Sequence, residues 1–599
     1  MLVSLKKLVA LLTRHNRRTI VILFGLMIAG SLLEVVGIAA IPIFVSTIVD
    51  PSALNKFPAL QEFLATYQMT DKRELVLWGA LILIVVFGIK NGFLVFSFYW
   101  QMVFVKNRRI ELSRSLTHAY MGAPYTFHLT HNTSEIMSNI DREVTLIANQ
   151  VITPILEIAT RFLMLLGILV FLFAVEPLIT LFWLLAFSLI GVLGIVALST
   201  KLKLFGLEEQ QNRRRFVKAL YQGFGIIKEA RILNRESFFS KQIVETVSRM
   251  AKTLAFKQFA TKAVPPVTEF AALTSLLCLV VGLILLGRST ESILITLSLF
   301  IVGLIRMRET ISAAMAHFAT LRYSIVSIDP VYNDLKYLES RSKTSHLESA
   351  ATPQPYHMHQ QIELRDVSYR YDGAPHDALK DINLVIPAGS AVGFVGSTGA
   401  GKSTIVDTIL GLLDPVKGGV FVDGRDIRER GIDSWQATIG YVPQSIYLLD
   451  DTIRRNIALG ISDDEIDERA VWNALKAAQL ENFVNHHPAG LDSVVGEQGV
   501  RLSGGERQRI GIARALYHDP DVLILDEATS SLDAATERSI AASVEELKGR
   551  RTIIMIAHRL STVRKCDMLY FLKDGKIEAH GDYDELQVRH PDFKVMATI

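Results

Sequence analysis

Hydrophobic residues are concentrated in the first half of the chain, where they form six long apolar runs. The runs lie at about residues 20–44, 75–104, 162–175, 178–198, 270–286 and 293–305. A helix that crosses a bilayer needs about 20 residues, and weakly polar flanks can extend the shorter runs to that length. The pattern therefore predicts six transmembrane helices.

The distribution of basic residues predicts the orientation of these helices. Residues 199–262 contain fourteen Lys and Arg, whereas the turn between the third and fourth runs is only Glu176 and Pro177. Basic loops are retained in the cytoplasm. We therefore expect both termini and the whole second half of the chain to be cytoplasmic, with the turn at Glu176 outside.

Two further segments have helical spacing of apolar residues. The first eighteen residues carry several cations and no acid, which indicates an interfacial helix; an organelle transit peptide is the alternative. The first outer loop predicts a short amphipathic helix that either lies on the membrane surface or packs on its own spans. Its apolar residues are Phe57, Leu60, Phe63, Leu64 and Tyr67.

The polarity of the chain changes after the sixth run. Residues 339–360 are polar and without a period, which indicates a linker. Beyond it, short Val/Ile/Leu runs alternate with helical stretches, the pattern of an α/β domain with a mostly parallel sheet. We expect a membrane domain at 1–338, whose helices continue into the cytoplasm, and a soluble domain at 361–599.

Composition supports a membrane protein. Half of the residues are hydrophobic, 21% are charged and the mean hydropathy is +0.30, all unusual for a soluble enzyme. The net charge of +3 gives no argument for a nucleic-acid partner. The two cysteines, Cys278 and Cys566, lie in different kinds of segment, which excludes a disulfide framework.

The soluble domain contains a glycine-rich loop between a predicted strand and a predicted helix, the setting of a phosphate-binding loop. Glycines let backbone N–H groups surround phosphate oxygens, Lys402 would reach the β- and γ-phosphates of ATP, and the Ser403 hydroxyl would ligate Mg²⁺. The candidate ATP-binding residues here are Gly396, Ser397, Thr398, Gly399, Ala400, Gly401, Lys402, Ser403 and Thr404.

A second buried-strand pattern, residues 521–527, ends in two carboxylates. Asp526 would hold Mg²⁺ through water, and Glu527 would polarise the attacking water as general base. The alternative is a strand that simply ends in a solvated acidic turn. The phosphate-binding loop upstream favours the catalytic interpretation.

Between these motifs stands Leu502-Ser503-Gly504-Gly505-Glu506, and with it the sequence resembles the ATP-binding cassette (ABC) family. The resemblance implies that Tyr371 stacks on adenine, that Gln444 contacts Mg²⁺ and links the nucleotide to the membrane domain, and that His558 contacts the γ-phosphate. It also implies a D-loop at Asp533. In this family Ser503, Gly505 and Glu506 close on ATP held by the second subunit.

Six spans followed by one cassette resemble half of an ABC exporter, so the resemblance implies dimerisation, either with a second copy or with a related half-transporter. It implies the exporter fold with swapped helices and coupling segments near residues 124–131 and 222–229. Gln498 stands where the family often has Arg, which leaves the transmission role of that position open. An ATP-gated channel or regulator is the alternative from another class.

The stretches PYTFHLTHNTSE and GFGIIKEARILNRESFF resemble bacterial flippases of polyprenyl-diphosphate-linked oligosaccharides. That implies a bacterial inner-membrane location and an amphiphilic, lipid-linked substrate; drugs, peptides and lipid A-type glycolipids are alternatives. Charges inside spans are functional candidates because they are costly there. The candidate cations for a diphosphate are Lys90, Arg161, Arg306 and Arg308, although Glu157–Arg161 and Arg306–Glu309 are also spaced to form simple ion pairs.

Overall fold

The computed structural model describes residues 2–11, 13–49, 72–285, 290–341, 354–526, 546–557 and 560–598. The chain divides into two compact units. One unit comprises residues 1–123 and 128–344, and the other comprises residues 124–127 and 345–599. The predicted amphipathic helix at residues 57–67 lies outside the described residues.

The first unit is helical throughout its described part. Its helices are α1 (Leu2–Ala10), α2 (Arg14–Val49), α3 (Lys72–Met121), α4 (Tyr125–Thr130, of which residues 125–127 are assigned to the second unit), α5 (Thr133–Ser138), α6 (Thr153–Val175), α7 (Pro177–Gly225), α8 (Ile227–Ile232), α9 (Glu236–Lys262), α10 (Val264–Leu285), α11 (Thr290–Ser324) and α12 (Ile328–Arg341). Each of the six predicted spans coincides with one of the long helices α2, α3, α6, α7, α10 and α11.

Four helical stretches within the described residues are long and apolar enough to cross a membrane: Asn16–Ile41, Val76–Met121, Thr133–Val175 and Glu236–Leu285. Helices α3 and α7 have 50 and 49 residues. At a rise of 1.5 Å per residue they are about 75 Å long, more than twice the hydrocarbon thickness of a bilayer. Helices of this length can extend well beyond a bilayer, and the cytoplasmic continuation of the membrane helices remains a prediction.

The tight hairpin predicted between the third and fourth spans is also present. Helix α6 ends at Val175, and α7 begins at Pro177, whose fixed φ suits the first turn of a helix. Short helix α4 lies within the first segment predicted to couple, residues 124–131, whereas α8 overlaps the second, residues 222–229, only at its first three residues. The coupling role of these two helices remains a prediction.

Two π-helical segments, Asn139–Glu143 and Ile147–Ile152, precede α6 and are separated by the single turn Val144–Leu146. Such wide turns are rare and often lie at functional positions. The buried side chain of Asn139 donates hydrogen bonds to Asp334 Oδ2 at 3.0 Å and to Tyr120 Oη at 3.1 Å. This network joins the first π-helical segment to α3 and α12.

The N-terminal segment forms a helix as predicted. In α1, Leu8 is buried, and Lys7 Nζ lies 2.5 Å from Asp329 Oδ1 of α12 and 5.4 Å from the Tyr332 ring centroid. These contacts attach α1 to the helix that follows the last membrane span. A position of α1 at the membrane surface remains a prediction.

The second unit contains two sheets. Its strands are β1 (Gln361–Tyr369), β2 (Leu379–Pro387), β3 (Ala391–Gly396), β4 (Lys417–Val422), β5 (Arg425–Asp426), β6 (Ile439–Val442), β7 (Val522–Asp526), β8 (Thr552–Ile556), β9 (Met568–Lys573) and β10 (Lys576–Gly581). The four-stranded sheet has the order β2-β1-β4-β5 and is antiparallel. The six-stranded sheet has the order β10-β9-β3-β8-β7-β6 and is parallel except for β10.

Helices cover the strands of this unit. They are α13 (Lys402–Ile409), α14 (Ile427–Arg430), α15 (Ile432–Gln436), α16 (Ile453–Ile457), α17 (Glu468–Ala477), α18 (Glu481–His486), α19 (Gly504–Leu516), α20 (Leu560–Val563), α21 (Tyr583–Arg589) and α22 (Pro591–Thr598). Every residue of β3 and β8 is buried, and the first four residues of β7 are buried too, as expected for central parallel strands covered on both faces. The predicted α/β class is confirmed.

Candidate functional site

Three of the sequence motifs follow neighbouring or nearby strands of the six-stranded sheet. The glycine-rich loop follows β3, Asp526 ends β7 and Gln444 follows β6. These strands are parallel, with Tyr441 of β6 opposite Ile524 of β7 and Val392 of β3 opposite Ile554 of β8. The carboxyl ends of parallel strands meet at one edge, which is where ligands bind in α/β sheets.

The glycine-rich loop needs glycine at defined positions. Gly396, Gly399 and Gly401 have φ values of +150°, +83° and +105°, which side chains disfavour. A Cβ atom at Gly401 would lie 3.0 Å from the Ala378 carbonyl oxygen, and one at Gly396 would collide with the Leu572 carbonyl oxygen. The loop is therefore fixed by backbone conformation and by close packing on β2 and β9.

Lys402 begins helix α13 and is only 5% exposed. Its ammonium donates hydrogen bonds to the carbonyl oxygens of Gly396 at 2.8 Å and Ser397 at 3.0 Å, the first two residues of the glycine-rich loop. Ser403 is exposed at the same helix N-terminus. A buried cation beside the positive end of a helix favours an anion such as phosphate.

Tyr371 lies next to this helix. Its hydroxyl is 3.1 Å from the Thr404 hydroxyl, and its ring meets the Tyr369 ring edge-on, with centroids 5.0 Å apart. Thr404 is itself buried on α13. The aromatic residue that the family resemblance assigns to adenine is thus attached to the helix that carries Lys402.

Asp526 has two neighbours that the sequence did not reveal. Tyr441 Oη donates a hydrogen bond to Asp526 Oδ2 at 3.4 Å. Burial, and then repulsion from Asp526, raises the pKa of the Asp407 carboxyl on α13 to about 6. The strand end therefore has a concentration of negative charge next to the phosphate-binding loop, which suits a divalent cation.

The signature pentapeptide begins helix α19 with a capping box. The Ser503 hydroxyl accepts a hydrogen bond from the Glu506 backbone N–H at 3.3 Å, and Glu506 Oε2 accepts one from the Ser503 N–H at 2.8 Å. Space around Gly504 is open. The structure thus gives Ser503 and Glu506 a local capping role in addition to the contact with a second subunit that the resemblance implies.

A buried polar network fixes the segment that follows Gln444. Arg514 of α19 donates to the Asn456 and Tyr447 carbonyl oxygens at 2.8 and 2.9 Å and to Asn456 Oδ1 at 3.1 Å. Asn456 is fully buried and also donates to the Leu449 carbonyl oxygen at 3.0 Å. Neither residue belongs to a motif of the sequence analysis, because their partnership depends on tertiary contact.

Glu527, Asp533 and His558 lie outside the described residues. Their positions in the site therefore remain predictions. Gln498 has a φ of +52° in the turn Glu497–Gly499, between two glycines that also have positive φ. This backbone conformation is unfavourable for a residue other than glycine.

All four candidate cations of the membrane domain have an acidic partner. Lys90 Nζ lies 3.0 Å from Glu34 Oε2, and Arg306 Nε lies 3.4 Å from Glu34 Oε1. The remaining ion pairs are Arg161–Glu157 at 3.6 Å, Arg306–Glu309 at 3.5 Å and Arg308–Glu269 at 2.9 Å. The two pairs expected from spacing alone are formed, and Glu34 is a partner that the sequence did not assign.

Two family models match this chain. The model of the ABC transporter transmembrane region matches residues 20–307, and a second model, described as ABC transporter, matches residues 379–530. The chain belongs to the ABC transporter family. One membrane region and one cassette are the two parts of an ABC exporter half-transporter.

Relatives of this ABC transporter include bacterial proteins of named function. The ATP-dependent lipid A-core flippases of Salmonella paratyphi A and Escherichia coli K12 are each 44% identical to it, over 229 and 225 residues. These matches cover 38% of this chain and 39% and 38% of the two relatives. A solved structure of a bacterial Atm1-family ABC exporter with ATP bound has a TM-score of 0.77 at 23% identity, covers 97% of this chain and 98% of its own, and shows the exporter fold.

Proposed function

We propose that this ABC transporter is an ATP-driven exporter that works as a homodimer and moves an amphiphile from the cytoplasmic side of the membrane outward. The observation that carries the proposal is Lys402, a buried cation held at a helix N-terminus by the carbonyl oxygens of its own loop. Such a site favours the phosphates of ATP. It lies in the same chain as the long apolar helices of the membrane unit.

Each motif has a separate task in this proposal. Lys402 and the loop amides hold the phosphates, and Tyr371 stacks on the adenine. Glu527 orients the attacking water and accepts its proton, while His558 and Gln444 respond to the γ-phosphate. Ser503, Gly505 and Glu506 of one copy close on ATP held by the other copy, with Asp533 at the same interface.

The residues at the sheet edge fit Mg²⁺. The Ser403 hydroxyl, the Gln444 amide and the Asp526 carboxylate offer oxygen atoms, the ligands that Mg²⁺ prefers together with water and phosphate oxygens. No group of three or more His, Cys, Asp or Glu side chains arranged for a metal occurs among the described residues. When bound, the ion would neutralise charge that develops on the phosphates.

The substrate that we propose is a lipid-linked oligosaccharide with a polyprenyl diphosphate. Its head group requires cations within the membrane helices, and Lys90, Arg161, Arg306 and Arg308 supply them. Each of these four cations forms an ion pair with a carboxylate of the protein, so a substrate diphosphate would have to compete with that carboxylate. The export cycle would alternate between an inward-open dimer and an ATP-closed, outward-open dimer.

A lipid A-type glycolipid is the second candidate substrate. The ATP-dependent lipid A-core flippases of Salmonella paratyphi A and Escherichia coli K12 match more than a third of the chain at 44% identity. Such a lipid also combines acyl chains with an anionic head group, so the same intramembrane cations would serve it.

The test compares the purified wild type with Glu527→Gln in two assays. ATPase activity is measured in nanodiscs, and the transfer of the lipid between leaflets is measured in liposomes by its accessibility from outside. A polyprenyl-diphosphate glycan and a lipid A glycolipid are compared. We expect one lipid to stimulate ATPase and to be flipped in an ATP-dependent manner, with both effects lost in the variant. ATPase that depends on Glu527 but responds to neither lipid would reject both substrates and retain the exporter.

A further inference from the structure

One buried carboxylate of the membrane unit holds cations from two other helices. Glu34 of α2 places Oε2 3.0 Å from Lys90 Nζ of α3 and Oε1 3.4 Å from Arg306 Nε of α11. Only 7% of the Glu34 side chain and 3% of the Lys90 side chain are exposed. Each oxygen of Glu34 therefore faces its own cation, in a part of the chain predicted to lie within the bilayer.

This arrangement has the chemistry of a phosphate site. Lys and Arg donate the same charge-assisted hydrogen bonds to phosphate oxygens as to carboxylate oxygens, and Arg is suited to both by its planar fork. Two cations from separate helices that converge on one small anion can hold either group. The position is occupied by the protein's own carboxylate.

The two cations are held differently. Lys90 is enclosed: its ammonium lies 4.7 Å from the Phe87 ring centroid, and its stem passes so close to Gly37 that a Cβ atom there would lie 3.1 Å from Lys90 Cδ. Arg306 is 40% exposed and reaches its two carboxylates only at 3.4 and 3.5 Å. Strong charge-assisted hydrogen bonds are about 2.7–2.9 Å long. Arg306 is therefore the more accessible and more loosely held cation.

We propose that Glu34 is a resident counter-anion that occupies the head-group site, and that a lipid diphosphate displaces it from Arg306 on binding. The inference rests on the proposed diphosphate substrate and adds a residue that sets specificity. A neutral amphiphile has no group to replace the carboxylate, so it gains nothing from Arg306. While no substrate is bound, Glu34 and Glu309 together balance the charges of Lys90 and Arg306, as a low-dielectric surrounding requires.

A purely structural pair makes a different prediction. If Glu34 only joins α2, α3 and α11, its removal lowers stability but leaves the substrate concentration needed for stimulation unchanged. If Glu34 competes with the substrate, its removal lowers that concentration. The concentration dependence of ATPase stimulation therefore separates the two roles.

The experiment uses the full-length protein in nanodiscs with undecaprenyl diphosphate as the probe and undecaprenol as the neutral control. Glu34→Gln removes the negative charge. Glu34→Asp keeps the charge on a side chain that is one methylene shorter, so the carboxylate lies farther from the two cations. Glu111→Gln is the matched control, because it also removes the acidic partner of an arginine, Arg108, that is not among the candidate head-group cations.

We expect the half-maximal concentration of undecaprenyl diphosphate to fall about tenfold in Glu34→Gln, the scale of one exchanged charge-assisted hydrogen bond. This concentration should fall by a smaller factor in Glu34→Asp and stay unchanged in Glu111→Gln. Arg306→Gln should abolish the response, with or without Glu34→Gln. Undecaprenol should not stimulate any variant.

In one outcome, the wild type responds to the diphosphate, but the half-maximal lipid concentration of Glu34→Gln and Glu34→Asp is equal to or higher than that of the wild type. This result would overturn the role of Glu34 and leave the proposed substrate intact. A wild type with normal ATPase activity and no response to the diphosphate would overturn the substrate and this role together. If Glu34→Gln does not yield folded protein by size exclusion, Glu34→Asp decides the question alone.

Discussion

Among the described residues, each unit buries one lysine almost completely, and the two lysines have different partners. Lys402 of the cassette donates to the carbonyl oxygens of Gly396 and Ser397, whereas Lys90 of the membrane unit faces the Glu34 carboxylate. Carbonyl oxygens are neutral groups and leave the formal charge of Lys402 in place. A carboxylate cancels the charge of Lys90.

The difference shows what each unit does with a buried cation. Burial of a charge is costly unless other groups compensate it. In the cassette, partial compensation by dipoles leaves attraction for a polyphosphate that arrives from solution. In the membrane unit, full compensation lets a cation stay within apolar helices, and a ligand must compete with the resident anion. Four predictions test this contrast.

The largest effect should come from Lys402→Ala. We expect ATPase activity to fall by at least about 100-fold, because the variant loses the cation that would contact the β- and γ-phosphates. The apparent melting temperature should change little, since the partners of Lys402 are carbonyl groups of a loop fixed by glycines. ATPase assays and thermal unfolding of the same preparation measure both.

The control is Lys417→Ala, which removes an exposed lysine that pairs with Asp381 at 2.7 Å in the same unit. Both ATPase activity and melting temperature should match wild type. A Lys402→Ala protein with substantial activity would contradict the assignment of the loop.

Lys90→Met should show the reverse behaviour. It leaves the buried Glu34 carboxylate without its nearest cation, and we expect a loss of about 3 kcal/mol in the stability of the membrane unit. Addition of Glu34→Gln should recover part of the loss, because the carboxylate is then absent too. Thermal unfolding of the single and double variants measures the coupling, and strict additivity of the two losses would argue against the pair.

Ser503 tests whether a polar group of the cassette serves folding or ligand binding. Ser503→Ala should cost about 1 kcal/mol through loss of the cap of α19 and should also lower ATPase activity. Ser503→Asp keeps a capping oxygen, so stability should return while activity does not. The control Asp467→Ala removes the cap of α17 and should lose only stability. Full activity of Ser503→Asp would leave Ser503 with the capping role alone.

The smallest effect concerns Asp407, whose carboxyl pKa is raised from 3.8 to about 6. Because the folded chain binds this proton more tightly than the unfolded chain, the stabilisation is complete below pH 3.8 and is lost as pH rises through 6. Asp407→Asn should therefore raise stability at pH 8 by about 1 kcal/mol, discounted for partial exposure, and by less at pH 5.5. Melting curves at the two pH values measure this, and an equal gain at both would exclude titration as the cause.

Features that depend on short stretches of sequence were predictable. Apolar runs of sufficient length became helices, and the spacing of Gly396, Gly399 and Gly401 identified a loop whose positive φ values only glycine tolerates well. The pair Ser503 and Glu506 even carries the pattern of its capping box.

Features that depend on tertiary contact could not be read from spacing. Glu34 and Lys90 are 56 positions apart, and only the packing of α2 on α3 brings them together. The partnership of Tyr441 with Asp526, and of Arg514 with Asn456, likewise needs the sheet and the helices to be in place. A carboxylate inside an apolar run indicates that it has a cationic partner, but the sequence does not identify which residue that partner is.

The π-helical segments before α6 have an evolutionary consequence. A π turn accommodates one residue more than an α turn, so each segment, Asn139–Glu143 and Ile147–Ile152, has the form of a single-residue insertion absorbed without breaking the helix. Deletion of one residue within a π-helical segment would restore an α-helical turn and leave the residues beyond it on the face they occupy now. Deletion of one residue between Ile152 and Glu157, where no wide turn absorbs the change, would instead turn the residues beyond it by about 100°. Glu157 would then lose its contact with His317. Homologous chains should therefore tolerate the loss of a single residue at the two π-helical segments but not between the second segment and Glu157.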